Sequence, residues 1–307
     1  MDIITQTAYF RQRMIKYYLK HGATKAANRY KVSRKTVYKW LKRYDGTIDS
    51  LKDKSRRPHN SPKAHTKAEI TMIIRALKKV KWTDLILAFQ RLMKRGYTRS
   101  YGSFKNIAKK LCKAKKPKPK PKRKPKPYAR ASYPGQKLQL DVKYVPTECV
   151  VGSKPYYQFT AIDECTRWTY RQIYDDKSSY SAKLFLCELL SKAPFPVRLI
   201  QTDNGLEFTN ALMVTRAKHK TLFEEALIDM GIEYKRIRIA TPRHNGKVER
   251  QHRTDNLRFY SNLKMFNLED GRNQIGAYNK RSNNIIKTCL NMQSPNQVLE
   301  KYLSVMF

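Results

Sequence analysis

The sequence predicts a multidomain chain, with short α-helical units in front and an α/β core behind, and three observations predict it. Lys and Arg number 65 against 24 Asp and Glu, a net charge of +41 on 307 residues. The excess is lopsided, with 39 basic and 6 acidic side chains in residues 1–135 but 26 and 18 in residues 136–307. Apolar residues recur at helical spacing before residue 112 and in strand-like alternation from 137 onward. Self-repulsion on this scale favours a polyanionic partner, and nucleic acid is the default. A ribosomal or packaging protein shares such a charge but gives no reason for an ordered set of acids in the rear half.

Residues 1–52 read as a helix-turn-helix unit. Tyr9 to Leu19 is a basic amphipathic stretch ended by His21-Gly22, and Ala23, Ala26, Ala27 and Tyr30 share the next helical face. Val32-Ser33 makes the turn, with Ser33 as N-cap of RKTVYKWLKRY. Val37, Trp40, Leu41 and Tyr44 face inward there. Arg34, Lys35, Tyr38, Lys39 and Lys42 are left outward, as a recognition helix in a major groove requires. Residues 65–112 read as a second such unit, with a capping box at Thr66 and Glu69, a helix from Trp82 to Met93 stopped at Gly96, and a last helix opened by Ser100. Arg99, Lys105 and Lys109 are its candidate DNA contacts.

Two linkers follow from composition. Residues 53–64 are polar and proline-punctuated; Arg56 and Arg57 could enter a minor groove, though solvated linker arginines are the plainer reading. Residues 113–132 begin with a Lys-Pro run that disfavours helix and sheet and favours a stiff, extended spacer. Lys116, Lys118, Lys120, Lys122, Arg123 and Lys124 could there follow a phosphate backbone, adding sequence-blind affinity.

The core, residues 133–264, reads in order as strand (137–145), strand (156–163), strand (167–174), helix (179–191), strand (197–202), helix (221–230), strand (232–239) and helix (245–262). Three strands followed by alternating helices and strands is the ribonuclease-H-like order, a sheet covered on both faces. Three carboxylates occupy telling places in it. Asp141 lies in the first strand, Asp203 just past a strand end at Asn204-Gly205, and Glu249 on the first turns of the last helix. Two strand-borne Asp and a helix-borne Glu can converge on hard divalent cations, Mg²⁺ or Mn²⁺, with two per active site suited to phosphodiester chemistry. A single Asp at a strand end is more often a turn-former; the local strings are what single these out. Rival acids are read otherwise: Asp163 and Glu164 as a structural turn, and Asp255, six residues and about 600° past Glu249, on another helix face. Asn204 and Asn245 are expected to shape the loops beside the metals, with His252 supporting them. Arg243, His244, Lys247, Arg250 and Arg253 are expected to meet phosphate.

LDV, TDNGLEF and PRHNGKVER, in that order, together with YNKR and LNMQSPNQVLEKY downstream, resemble the DDE transposases and integrases, specifically insertion-sequence transposases of the IS481 and IS3 kind. The resemblance implies a DNA transposase that binds the terminal inverted repeats of an insertion sequence, then cleaves and transfers strands. Asp141, Asp203 and Glu249 would be its catalytic metal ligands. It implies partners as well, duplex DNA at the element ends and the target, and a homodimer or higher oligomer. Two departures stand out. Asp203 and Glu249 are separated by 45 intervening residues, about ten more than usual, the excess falling near residues 211–225. Ser282-Asn283 also stands where relatives read Pro-His, which puts a catalytic role for the 265–307 helical segment in doubt.

The five cysteines form no CxxC pair and the six histidines no zinc-finger spacing. With no signal peptide and no apolar run near the ~20 residues that span a bilayer, a prokaryotic cytoplasmic, nucleoid-associated protein with no membrane partner is expected. Two alternatives remain in view: a catalytically silent DNA-binding regulator, and a nuclease of the same fold without strand transfer.

Overall fold

The structure is a computed structural model that describes residues 2–55, 63–112, 130–152, 154–212, 219–238 and 242–306. Arg56, Arg57 and the Lys-Pro candidates from Lys116 to Lys124 lie outside the described residues, as do positions 213–218 of the extra length before Glu249. Two compact units divide the chain, Met1–Ala64 and His65–Phe307.

In the first unit α1 (Ile3–Arg29) is capped by Asp2, whose side chain accepts from Thr5 N at 2.8 Å. It is two helices joined at Gly22, where a φ of 79° suits glycine and breaks the ladder. Lys31 (φ 50°) turns the chain, and Ser33 caps α2 (Arg34–Leu41) by accepting from Thr36 N. Ala8, Met14, Ile15 and Ala26 bury against Val37 and Trp40, each large side chain contributing about 1.5–3 kcal/mol. The Arg11 guanidinium covers Trp40 at 3.6 Å and donates to Leu51 O. Arg34, Lys35, Tyr38, Lys39 and Lys42 are exposed.

The second unit opens with three helices, α3 (Lys67–Lys78), α4 (Leu85–Met93) and α5 (Tyr101–Leu111). The Thr66–Glu69 capping box forms as the sequence predicts. α4 starts three residues later than expected, because Lys81 and Trp82 take left-handed φ of 49° and 61° and Asp84 supplies the cap. Arg99, a candidate DNA contact, closes its fork on Glu69 at 2.7 and 2.9 Å. Lys105 and Lys109 remain exposed on α5. Ile286 from the C-terminal region enters the apolar cluster of this helical module.

The core is a five-stranded sheet in the order β3-β2-β1-β4-β5, with β1 (Leu138–Tyr144), β2 (Tyr157–Asp163), β3 (Thr169–Tyr174), β4 (Leu199–Thr202) and β5 (Glu233–Arg236). β1 runs antiparallel to β2 and parallel to β4. Helices α6 (Ser179–Lys192) and α7 (Leu222–Asp229) cover one face, where Leu138, Leu140, Phe159, Phe185 and Phe223 join one cluster. On the other face of β1 and β2, Gln139, Asp141, Gln158 and Thr160 lie under α8 (Gly246–Arg258); α9 (Leu268–Ser282) packs on β3. The sequence alternation predicts one buried face, and here the polar face is buried as well. β4 and β5 are shorter than predicted, and the last helix begins only at Gly246. α10 (Pro295–Met306) folds back through Leu299 and Tyr302, whose hydroxyl donates to Ser132 O.

Candidate active site

β1 and β4 pair with Gln139 beside Gln201, so two residues further on Asp141, in the middle of β1, and Asp203, just past the end of β4, follow at the same level on neighbouring parallel strands. Asp141 Oδ1 accepts from Val142 N at 2.9 Å, and Asp203 Oδ1 from Gly205 N at 3.0 Å. Asn204 braces the loop by donating to Ile237 O at 3.1 Å. Glu249 lies in the first turn of α8, exposed.

The start of α8 is what aims Glu249, and the helix does not cap itself. Asn245 makes no side-chain cap; it donates to Leu140 O, the residue before Asp141. The cap comes from Gln139 on β1. Its Oε1 accepts from Lys247 N at 3.1 Å and Val248 N at 3.3 Å, while its amide nitrogen donates to His244 O at 2.9 Å. Gln201 on β4 donates to the same carbonyl at 2.8 Å. Helix N-termini leave orphan N–H groups, so a strand side chain that satisfies two of them fixes the helix to the sheet. Glu164 completes the clamp, buried between Lys137 at 3.3 Å, Lys247 at 3.2 Å and the Gln139 amide. Asp163 accepts from Gly135 N and from Thr166, a turn-building use that matches the structural reading. Lys247, expected on phosphate, thus neutralises Glu164. His244 (through its side chain), Arg250 and Arg253 stay exposed, and the Arg243 side chain lies outside the described residues.

Gln139 and Gln201 escaped the sequence analysis. A period of two in a strand puts Gln139 on the face of Asp141, and Gln201 stands in the same relation to Asp203. That spacing was the available signal.

Farther along α8, Asp255 is fully buried against the equally buried Arg171 of β3 at 2.8 Å. Gln158, Gln251 and Tyr278 also donate to Asp255, and Arg171 donates to Asn279 and Ser282 on α9. The Arg171 charge and these hydrogen bonds overcome burial and hold the Asp255 carboxyl below its ordinary range. Asn283 accepts from Thr169 N and donates to Thr169 O. Ser282-Asn283 therefore ties α9 to β3.

Burial first, then the charges of Asp203, Glu249 and Glu207, push Asp141 up to about 7. A rise of that size corresponds to roughly 4 kcal/mol against the ionised form. His252 Nδ1 lies 3.5 Å from Asp141 Oδ2, but the contact is no ion pair, since burial lowers His252 to about 4. The charges of Asp203, Glu249 and Glu207 that raise Asp141 form a site that a divalent cation would relieve. Asn245 Oδ1 and His252 Nε2 are buried without a hydrogen-bond partner beside it. Oxygen-rich, anionic and partly unsatisfied, the set fits Mg²⁺ or Mn²⁺ better than a softer metal. As they stand, no three His, Cys, Asp or Glu among the described residues are close enough to hold a metal ion.

Residues 10–59 match a helix-turn-helix domain family and residues 131–242 the integrase core domain family. The chain is 31% identical over 166 residues to a putative integrase, ORF3, of Spiroplasma virus SpV1-C74, covering 52% of this chain and 46% of that protein. It therefore spans about half the length of that relative. Among solved structures, a simian T-cell lymphotropic virus intasome bound to the PP2A regulatory subunit B56 gamma aligns with TM-score 0.44 and 19% identity, over 68% of this chain and 69% of its own. The catalytic core domain of BIV integrase aligns with TM-score 0.40 and 13% identity, over 56% and 98%. Among the described residues no helix is long and apolar enough to cross a membrane.

Proposed function

From its helix-turn-helix and integrase core domains and its likeness to a putative integrase, we propose that the chain is a DNA transposase of the integrase and transposase family. It binds the terminal inverted repeats of an insertion sequence, hydrolyses a phosphodiester at each end, and joins the freed 3′-hydroxyl to target DNA. The observation that carries this reading is the placing of Asp141 and Asp203 two residues beyond the paired Gln139 and Gln201 on neighbouring parallel strands, with α8 bringing the charge of Glu249 onto Asp141.

Asp141, Asp203 and Glu249 would hold two Mg²⁺ or Mn²⁺ ions, which when bound supply nucleophile activation and charge stabilisation for in-line displacement. The chain's own residues do the rest. Gln139 and Gln201 fix the start of α8, and Asn245 ties that helix start to the strand carrying Asp141. Exposed Arg250 and Arg253 lie next to Glu249 on the surface, placed to orient phosphates. The exposed face of α2 reads the terminal repeat, and the active form is at least a dimer that synapses two ends, in the cytoplasm of a prokaryotic host.

The deciding experiment is Asp203→Asn, assayed for end binding by gel shift and for cleavage and strand transfer on one preparation. Binding should persist while both reactions fall below detection. Undiminished cleavage removes the carboxylate assignment. End binding by the unaltered chain with no cleavage under Mg²⁺ or Mn²⁺ would make it a silent regulator, and cleavage without joining a nuclease.

A further inference from the structure

We propose that the groove where the α3–α5 module meets α8 and α9 holds the backbone of a DNA duplex away from the scissile phosphate. The inference rests on the transposase reading for which DNA is bound, but not for the groove's chemistry. The groove encloses about 440 Å³, and its walls carry Lys79, Lys81, Arg91 and Lys94 from the module and Arg281 from α9. All five are exposed. Asp84 is the one carboxylate among the lining residues, and it is spent on Arg258, which donates to both of its oxygens. No carboxylate among the described residues pairs with the other five. Lys81 reaches only the Asn262 side-chain carbonyl at 3.2 Å, and Arg281 only the Tyr278 ring at 5.5 Å.

The seam is fixed rather than incidental. Arg258–Asp84, the Gln90 amide on Asn284 O at 2.9 Å, and Ile286 inside the module's apolar cluster join the two walls. Five cations are thereby held at set positions with no internal anion, an arrangement that self-repels unless a polyanion lies across it. Surface lysines on a free tail would avoid that repulsion by spreading; these cannot.

Position on α8 says which DNA. Arg258 is nine residues after Glu249, about 900° around the helix and so on its opposite side, and about 14 Å along the axis. A phosphate at Glu249 cannot also lie in this groove. Its occupant is a remote stretch of the same duplex or a second duplex, held through backbone contacts without base reading.

The test uses the full chain. In Lys79→Ala/Arg91→Ala/Lys94→Ala, the slope of log affinity against log salt should fall by about 3, equally for end and random duplexes. Separately, a photo-crosslinking phenylalanine in place of Lys94, in an Asp203→Asn background that leaves DNA uncut, should attach to nucleotides well away from the cleavage position. Crosslinks at the scissile nucleotides, or none together with an unchanged salt slope, overturn the proposal. Should the triple variant misfold by circular dichroism, the single exposed replacement at position 94 decides alone. Random duplex suffices for the salt-slope arm, so a chain that proves unable to cut would refute the transposase reading and leave that result standing.

Discussion

The two faces of β1 obey different rules. Leu138 and Leu140 turn to α6 and α7 and join an apolar cluster with Phe159, Phe185 and Phe223. Gln139, Asp141 and Lys143 turn to α8, where they meet the helix start, His252 and Asn256 in that order. The apolar face is held by area removed from water and tolerates repacking. The polar face is held by directed bonds, so each loss leaves a buried partner unsatisfied. Asp141, the proposed metal ligand on β1, belongs to the second face, and its placement depends on bonds rather than on packing alone.

The largest effect that separates the faces should come from the buried ion pair. Arg171→Leu leaves the Asp255 charge unpaired under α8 and is expected to cost about 3–5 kcal/mol, read by urea unfolding. Leu140→Ala, on the other face of the sheet, should cost about 2–5 kcal/mol. Stability alone therefore does not tell them apart; Mn²⁺ affinity does. It should weaken in the Arg171 variant under conditions where that variant is folded, because α8 carries Glu249, and stay near its original value in the Leu140 variant. Equal affinities in the two would erase the distinction between the faces.

The next effect is one of pH. Asp141 takes up protons in the folded chain below about 7, against an ordinary value of 3.8. A raised acid favours the fold when protonated, so its contribution is fully present below about 4 and is lost as pH rises toward 7. A divalent cation needs the ionised form, so its affinity should climb up to tenfold per pH unit between about 5 and 7 and then level off. His252, lowered to about 4, is already neutral across that window. Calorimetric Mn²⁺ titration of the full chain without DNA measures this, and a flat profile from pH 5.5 to 7.5 would falsify the shared-charge account of the site.

The sequence carried the apolar face well and the polar face badly, for one physical reason. Alternation in KLQLDVKYV marks a strand with a buried side, and residue chemistry names Leu138 and Leu140 as that side. Gln139, Gln158 and Arg171 look like solvent-facing residues until α8 and α9, about 100 residues later, arrive with their partners. Long-range satisfaction has no local pattern. Local signals fared better where the chemistry is local: Ser33, Thr66 and Ser100 cap their helices as their side chains predict. The start of α4 failed because nothing in KWTD announces two left-handed residues. Asp141, Asp203 and Glu249 stand out in the sequence because strand, turn and helix signals surround them, and those local elements form as read. The pairing of Arg99 with Glu69, 30 residues earlier, has no local signal either.

The smallest effect is the sharpest test of the comparison. Gln139→Leu keeps the strand and nearly the volume of the side chain, and removes one amide from the polar face. Lys247 N and Val248 N lose their acceptor, while His244 O keeps Gln201. Losing a helix cap of this kind costs about 1–2 kcal/mol, too little to unfold the chain. If bonds rather than packing aim Glu249, the first turn of α8 should loosen, and cleavage should fall by tenfold or more with end binding unchanged. The matching change on the apolar face, Leu138→Met, should leave cleavage within twofold, since a volume-conserving swap costs less than about 1.5 kcal/mol. Equal losses in the two variants would mean that packing positions the carboxylates, and that the polar face beneath α8 contributes stability alone.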